Sequence, residues 1–399
     1  MIRGKSDQLL PLNFKYRAAA WPLLGIVFLG AALAQDDVAN QIRAAQSSGN
    51  YSEAARLYKQ LVEGGNAAPE VRSNYGIMLH LSGKNREAMD QFRLALHQNS
   101  ALTAANLFGG LTEFDLGNYQ SAVKYLKQAR QLDPGRPAPL LALGKAYVAL
   151  RDYALANECY TKAAALDSGT AEAWYGVGVT DRSLAEELLN HAARIGKAAD
   201  PATRDKAQKL LNQALDALTR SIELAPDSAR THLIMAESLS DSGKFAQAIP
   251  EYQTAIKLDE NLSAAYLGLA TEYWKQSQFD QALPLLERVL DQSPKDPEAN
   301  GIMADIQQHK GNNAGAERYA AIALAGNPDL IETHLVLARV YLAKQQPARA
   351  VAEIQKVISA DPDGSYHFLL YRAYKQAGNE PAARATMAEF QQIRYGGAK

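Results

Sequence analysis

Small and large apolar residues recur along this chain at fixed steps. Ala54, Ala88, Ala122, Ala156, Ala214, Ala248, Ala282, Ala316, Ala350 and Ala383 stand 34 residues apart, a ladder broken by one step of 58 and one of 33. A second series of small residues, Gly76, Gly110, Gly144, Gly178, Ala236, Ala270, Ala304 and Ala338, runs in parallel with it. Self-similarity at a period of about 20 to 50 residues marks a stack of one supersecondary unit, here the length of a helix-turn-helix hairpin. The pattern predicts an all-α solenoid of about ten hairpins, at 35–68, 69–102, 103–136, 137–170, 171–228, 229–262, 263–296, 297–330, 331–363 and 364–399. A repeat array grows by addition, so the 399 residues are expected to form one elongated domain.

Each recurrence has a physical reason. Small residues at the eighth and twentieth positions let the two helices of a hairpin cross closely, where a larger side chain would hold them apart. Glycine at the fifteenth position, in Gly49, Gly83, Gly117, Gly243, Gly311 and Gly378, ends the first helix where a positive φ is needed. Tyr51, Tyr119, Tyr153, Phe245 and Phe279 open the second helix two residues on, and Pro134, Pro226, Pro294, Pro328 and Pro362 mark the step to the next unit. The same frame assigns Trp174, Tyr266, His232, His334 and His367, all at the fourth position, to packing between helices. Tyr147, Tyr273, Tyr341 and Tyr374 at the eleventh position, with Tyr58, Phe92, Tyr160 and Tyr252 at the twenty-fourth, read as the core of a solenoid.

The long step isolates an insertion of 24 residues in the fifth unit, at 185–208. Leu184, Leu188, Ala192 and Ile195 continue one helical face, and Ala207, Leu210, Leu211 and Ala214 do so on the return. Asp200 and Pro201 in "GKAADPAT" suit a cap and a first turn, so an antiparallel helical arm projecting roughly 18 Å is expected, a surface for a partner or for self-association.

Three segments carry several of these positions at once: "AEAWYGVGV" from Ala171, "LLALGKAYVALRDYALANECYTKAAALD" from Leu140 and "HLIMAESLSDSGKFAQAIPEYQTAIKLD" from His232. Through them the chain resembles the tetratricopeptide-repeat family of the exported bacterial type, over essentially all residues after the first 34. The resemblance implies a right-handed α-α superhelix whose first helices line a concave groove through their second, fifth, ninth, twelfth and thirteenth positions. At those positions stand Leu107, Leu111, Leu141, Lys145, Val148, Tyr175, Val179 and Arg182, then Leu233, Glu237, Leu267, Trp274 and Lys275. Farther on come Glu298, Asp305, Leu335, Arg339, Leu342, Phe368, Arg372 and Lys375. Apolar patches interleaved with both charge signs suit an extended or helical peptide. The partner-binding candidates are Tyr175, Arg182, Trp274, Lys275, Arg339, Phe368, Arg372 and Lys375. Arg339 and Arg372 share the ninth position of consecutive units with Lys375 one turn on, a grip for a carboxylate or acidic segment. Trp274 stands where the repeat requires no aromatic. The Lys and Asn set of the family's chaperone-tail clamp is absent, and the asparagine ladder of its glycosyltransferase-associated members is reduced to Asn40 and Asn74.

Residues 1–34 form a different object. Arg3, Lys5, Lys15 and Arg17 precede the run "AAAWPLLGIVFLGAALA", which ends in Ala32, Leu33 and Ala34, the layout of a signal peptide cleaved after Ala34. The run reaches only about 25 Å, short for a bilayer core, though an uncleaved anchor over 18–34 stands as the alternative. The remainder is acidic by about four charges and lacks a basic stripe, which disfavours nucleic acid as a partner. Cys159 is the only cysteine, so no intramolecular disulfide forms. "GKS" at Gly4 and "GVG" at Gly176 lack the spacing of phosphate loops. His80, His97, His191 and His309 lack ligand spacing. No catalytic residue, cofactor or metal is expected. The sequence thus reads as a non-catalytic, exported protein-binding scaffold of the periplasm or cell envelope, with envelope polysaccharide export or a membrane-anchored organiser as alternatives.

Overall fold

The computed structural model describes residues 33–65, 67–194 and 200–395. The expected signal segment lies outside the described residues except for Leu33 and Ala34, and so does the tip of the inserted arm. Twenty α-helices follow one another in ten consecutive hairpins, with no strand among the described residues. This is an all-α superhelix. Where the ladder predicts one domain, packing divides the chain into two compact units, whose main bodies are residues up to 190 with 201–226 and residues from 227 onward. A stack in which each hairpin touches only its neighbours has no single core, so such a division follows from the architecture.

In the N-terminal unit the first helices are Leu33–Ser47, Pro69–Leu81, Thr103–Asp115, Pro137–Ala149 and Ala171–Arg194. In the C-terminal unit they are Ala229–Asp241, Ser263–Lys275, Pro297–His309, Ile331–Ala343 and Ser365–Gln376. Within each unit, successive first helices touch one another as well as their own second helices. The first helices therefore line the inner face of each unit, and the second helices the outer one.

Small residues explain the packing. All ten ladder alanines are fully buried, at 0 % exposure. A Cβ added to Gly144 would fall 2.6 Å from the ring of Tyr160, and one on Gly176 2.4 Å from the other side of that ring. The "GVG" at Gly176 is thus a packing feature: Gly176 meets Tyr160, and Gly178 meets Leu218. Five second helices begin at the aromatic residues expected, Tyr51, Tyr119, Tyr153, Phe245 and Phe279. Asn50, Asp152, Asp296 and Asn312 cap helices by accepting from backbone N–H groups at 2.8–3.1 Å.

The fifth hairpin is lengthened on both sides. Its helices, Ala171–Arg194 and Pro201–Leu224, have 24 residues each, where other hairpins have about 13 and 14, an extension of roughly 15 Å. Ala185 packs against Ala207 and Leu211 across the arm, with Leu210 beside them, so the insertion carries its own small apolar seam.

The turn after nine of the ten first helices holds a left-handed residue. The six glycines predicted there all have φ between 72° and 82°. In three of the four hairpins that lack the glycine, the same place is taken by Arg151, Ser277 and Gln345, with φ of 58–59°; in the fourth, the lengthened fifth hairpin, the first helix runs on past it. The close crossing of the two helices imposes this conformation whatever residue is present. Replacing Arg151, Ser277 or Gln345 with Gly relieves the steric cost and, net of glycine's backbone entropy, is expected to raise stability by about 0.5–1 kcal/mol each. The check is a higher denaturant midpoint at unchanged m-value, with Gly117→Ala moving the midpoint the other way.

Candidate functional site

The inner face of the C-terminal unit is organised by a carboxylate. Asp305, at the ninth position of Pro297–His309, lies between the twelfth residue of the preceding first helix and the ninth of the following one. The indole Nε1–H of Trp274 donates to its Oδ2 at 2.8 Å, and Nη1 of Arg339 approaches Oδ1 at 3.4 Å. Nδ1 of His309 lies 3.0 Å from the Asp305 carbonyl oxygen and 3.4 Å from Oδ2, and the ring leans on Phe279. Asp305 is 7 % exposed, and a carboxylate so covered needs charge-assisted partners to offset its lost hydration. Two side chains chosen separately in the sequence, Trp274 and Arg339, are thereby joined across three consecutive hairpins. Arg339 keeps 37 % of its side chain exposed, so the edges of its guanidinium turned away from Asp305 face solvent.

The other candidates fall into different surroundings. Lys275 pairs with Oε1 of the buried Glu272 at 3.3 Å, and its Nζ stands 5.4 Å from the centroid of Phe245. Oε1 of Glu272 also accepts from Ser240. Lys375 is bound to Glu380 at 2.7 Å. Arg372 is exposed and makes no ion pair among the described residues. The three cations read as one grip thus differ: Arg339 and Lys375 each hold a carboxylate of this chain already, and Arg372 does not. Phe368 is 42 % exposed and lies 5.4 Å from Phe390 and 5.9 Å from Tyr371, centroid to centroid. Tyr175 and Arg182 are half-buried on Ala171–Arg194, where the nearby link between first helices is the ion pair of Lys145 with Glu172.

Most apolar residues read into the groove are buried. Leu107, Leu111, Leu141, Val148 and Val179 in one unit, and Leu233, Leu267, Leu335 and Leu342 in the other, fill the seams between adjacent first helices. What is left for a partner is more polar than the sequence pattern implies. The fourth-position histidines are covered as expected and also hydrogen-bonded. Nδ1 of His232 lies 2.6 Å from Glu251, Nδ1 of His334 2.6 Å from Glu353, and Nδ1 of His367 2.6 Å from Asp361. The first two pairs share a spacing of 19 residues, a signal present in the sequence and missed there.

In the N-terminal unit, desolvation shifts the titration of several polar groups. Burial pushes His80 down to about 4 and Asp115 up to about 6, although they lie within 3.7 Å of each other. Asp181 accepts from Nδ2 of Asn157 at 2.8 Å, and burial raises it to about 6. The Cys159 thiol is pushed up to about 11, first by burial and then by the Glu158 charge, which keeps it protonated and unreactive near neutrality. Among the described residues no group of three or more His, Cys, Asp or Glu side chains is placed to hold a metal ion. No helix among them is long and apolar enough to cross a membrane.

Stacked hairpins with an inner face of partly exposed aromatic and charged side chains define a helical-repeat binding protein. Family comparison agrees: tetratricopeptide-repeat profiles match residues 40–103, 113–177, 239–306, 273–322 and 307–370, more than half of the chain. The chain belongs to the tetratricopeptide-repeat family. The unmatched stretch between 177 and 239 holds the long insertion. Cellulose synthase 2 operon protein C of Komagataeibacter xylinus is 24 % identical over 379 residues, covering 85 % of this chain and 28 % of that protein. Human protein O-mannosyl-transferase TMTC3 is 22 % identical, over 68 % of this chain and 31 % of its own length. The chain spans less than a third of the length of these curated relatives. Among solved structures, Pseudomonas aeruginosa pilF is 19 % identical with a TM-score of 0.46, covering 59 % of this chain and 96 % of its own. YrrB, a tetratricopeptide-repeat protein described as having an unusual peptide-binding site, is 16 % identical with a TM-score of 0.38, covering 52 % and 95 %.

Asp181 gives a pH test. Between its ordinary value near 3.8 and about 6, the folded chain keeps a proton that the unfolded chain has released. Its contribution is therefore fully present below that range and is lost as pH rises through 6. Asp181→Asn, which retains an acceptor for Asn157, is expected to raise the melting temperature at pH 7.5 by roughly 2–4 °C, with the difference vanishing below about pH 4.

Proposed function

We propose that this chain is a non-catalytic protein-binding scaffold of the cell envelope, which takes an acidic extended segment of a partner on the inner face of its C-terminal unit. The observation that carries the reading is the junction of Trp274, Asp305 and Arg339. Asp305 fixes the indole and the guanidinium before any partner arrives, which lowers the ordering cost of binding. Arg339 keeps N–H groups facing solvent, and Arg372, at the equivalent position of the next hairpin, has no carboxylate of its own among the described residues. Together they suit a carboxylate-bearing segment, with the face of Trp274 as an aromatic anchor. Envelope placement rests on the basic and then apolar layout of residues 1–34.

A second reading is an accessory role in envelope polysaccharide export or assembly. It is favoured by the resemblance to Cellulose synthase 2 operon protein C along most of this chain. In a third, residues 18–34 remain as an anchor and the array organises other envelope proteins. Mass spectrometry of the mature N-terminus distinguishes placement, with a start at Gln35 expected for export.

A photo-crosslinking residue at position 274, in the native host, is expected to yield a discrete protein adduct, while the same residue at the outer position 94 yields none. Arg339→Glu combined with Arg372→Glu should remove the adduct. Equal adducts from both positions, or an adduct indifferent to the double charge reversal, would refute the groove assignment. The arm supplies a separate surface for a partner or a second copy. Replacing residues 185–208 with a short Ala-rich splice is expected to leave melting of the array unchanged while reducing capture or self-association. Full retention of both would remove the arm from the proposal.

A further inference from the structure

In two places of the C-terminal unit, the thirteenth residue of a first helix lies against the seventeenth residue of the hairpin before it. A basic side chain there meets an aromatic ring, Lys275 on Phe245 and His309 on Phe279. In the N-terminal unit the same two positions hold Asp115 and Asn85, whose side chains are hydrogen-bonded. His80, at the twelfth position of Pro69–Leu81, stands beside them.

The groups around Asp115 are acceptors, or cations already engaged. Thr112 donates its hydroxyl to the Phe108 carbonyl at 2.6 Å, so it accepts from Nδ1 of His80 at 3.1 Å. Burial keeps that ring neutral, with its value near 4, which leaves Nε2 an acceptor. Nδ1 lies 3.7 Å from Oδ2 of Asp115, beyond hydrogen-bond reach. Oδ1 of Asn85 is buried without a donor. Lys145, on the next first helix, is held by Glu172, and Arg93 pairs with Asp90 and with Glu113. Lys84 and Arg86 flank Asn85 in sequence, are exposed, and pair with no acid among the described residues. The Asn85 amide and the Lys145 charge do not offset burial, which leaves Asp115 at about 6. Asp305, by contrast, is given an indole N–H and a guanidinium. Asp115 keeps 22 % of its side chain exposed and has neither. The chain thus holds an acid on an inner face at a cost to its own stability, and a cation from outside would offset that cost.

We propose that Asp115, with Asn85 and His80 beside it, receives an arginine side chain of a partner segment on the inner face of the N-terminal unit. A guanidinium brings N–H donors only, to a place that supplies acceptors. This site is separate from the Trp274 junction and takes the opposite charge, so either assignment can fail without the other. Only the ionised carboxylate receives the cation, while His80 stays neutral and Lys145 and Glu172 offset each other. Affinity is therefore expected to rise about tenfold from pH 5 to pH 7 and to level off above.

The test uses the purified chain and a fluorescein-labelled nine-residue peptide of Ala, Ser and Gly with one central arginine, read by anisotropy. Saturable binding is expected, weakened about tenfold or more when citrulline replaces the arginine and, independently, by Asp115→Asn. The variant should also lose the rise between pH 5 and pH 7, and Arg339→Glu should leave binding unchanged. At pH 7.5 Asp115→Asn is expected to melt above the wild type, because it removes a poorly solvated charge that the chain itself does not satisfy. Absence of saturable binding, or binding unmoved by citrulline or by Asp115→Asn, overturns the proposal. So does a lower melting temperature for Asp115→Asn, which would make the acid a partner of this chain's own cations.

Discussion

The whole structure depends on how closely two helices cross. At each crossing a ladder alanine, fully buried, lies opposite the eighth position of the paired helix, which is Gly or Ala in hairpins two to nine. Nothing thicker separates the backbones there. The closeness lets a single aromatic or aliphatic side chain at the twenty-fourth position fill the remaining gap, and it fixes the angle from which the next helix arrives. Adjacency of first helices follows from that angle, and the inner face follows from the adjacency. Many small dispersion contacts, each weak, add up at such crossings because few atoms are left without a neighbour.

Much of this was readable in the sequence because it repeats. A residue type required once is an accident, whereas the same type at ten positions is a rule. Helix starts at Tyr119 or Phe279 and turns at Gly117 or Gly311 were legible on that ground. The left-handed turns at Arg151, Ser277 and Gln345 were not, because their backbone is set by the hairpin around them and not by local preference. The site shows the same division. Trp274 and Arg339 stood out singly as residues the repeat does not need. Their connection through Asp305 spans residues 31 and 34 apart, and no linear pattern states which of many acids will sit between them. Conversely, Leu107 and Leu141 occupy groove positions by number, yet neighbouring first helices cover them.

The fifth hairpin shows what the repeat permits. Lengthening both helices by a similar amount keeps the crossing at Gly178 and Leu218 intact, since the added turns begin beyond it. An insertion placed at the crossing would have separated the helices. The arm can therefore vary in length or surface with little effect on the stack that supports it.

Cys159 has a consequence of another kind. With one thiol, buried and held protonated, this chain has no internal covalent link to make or lose. Its folding equilibrium is therefore the same in an oxidising compartment as in a reducing one. A protein built this way can complete its fold on either side of a membrane without an oxidase, an isomerase or a reductant to assist it.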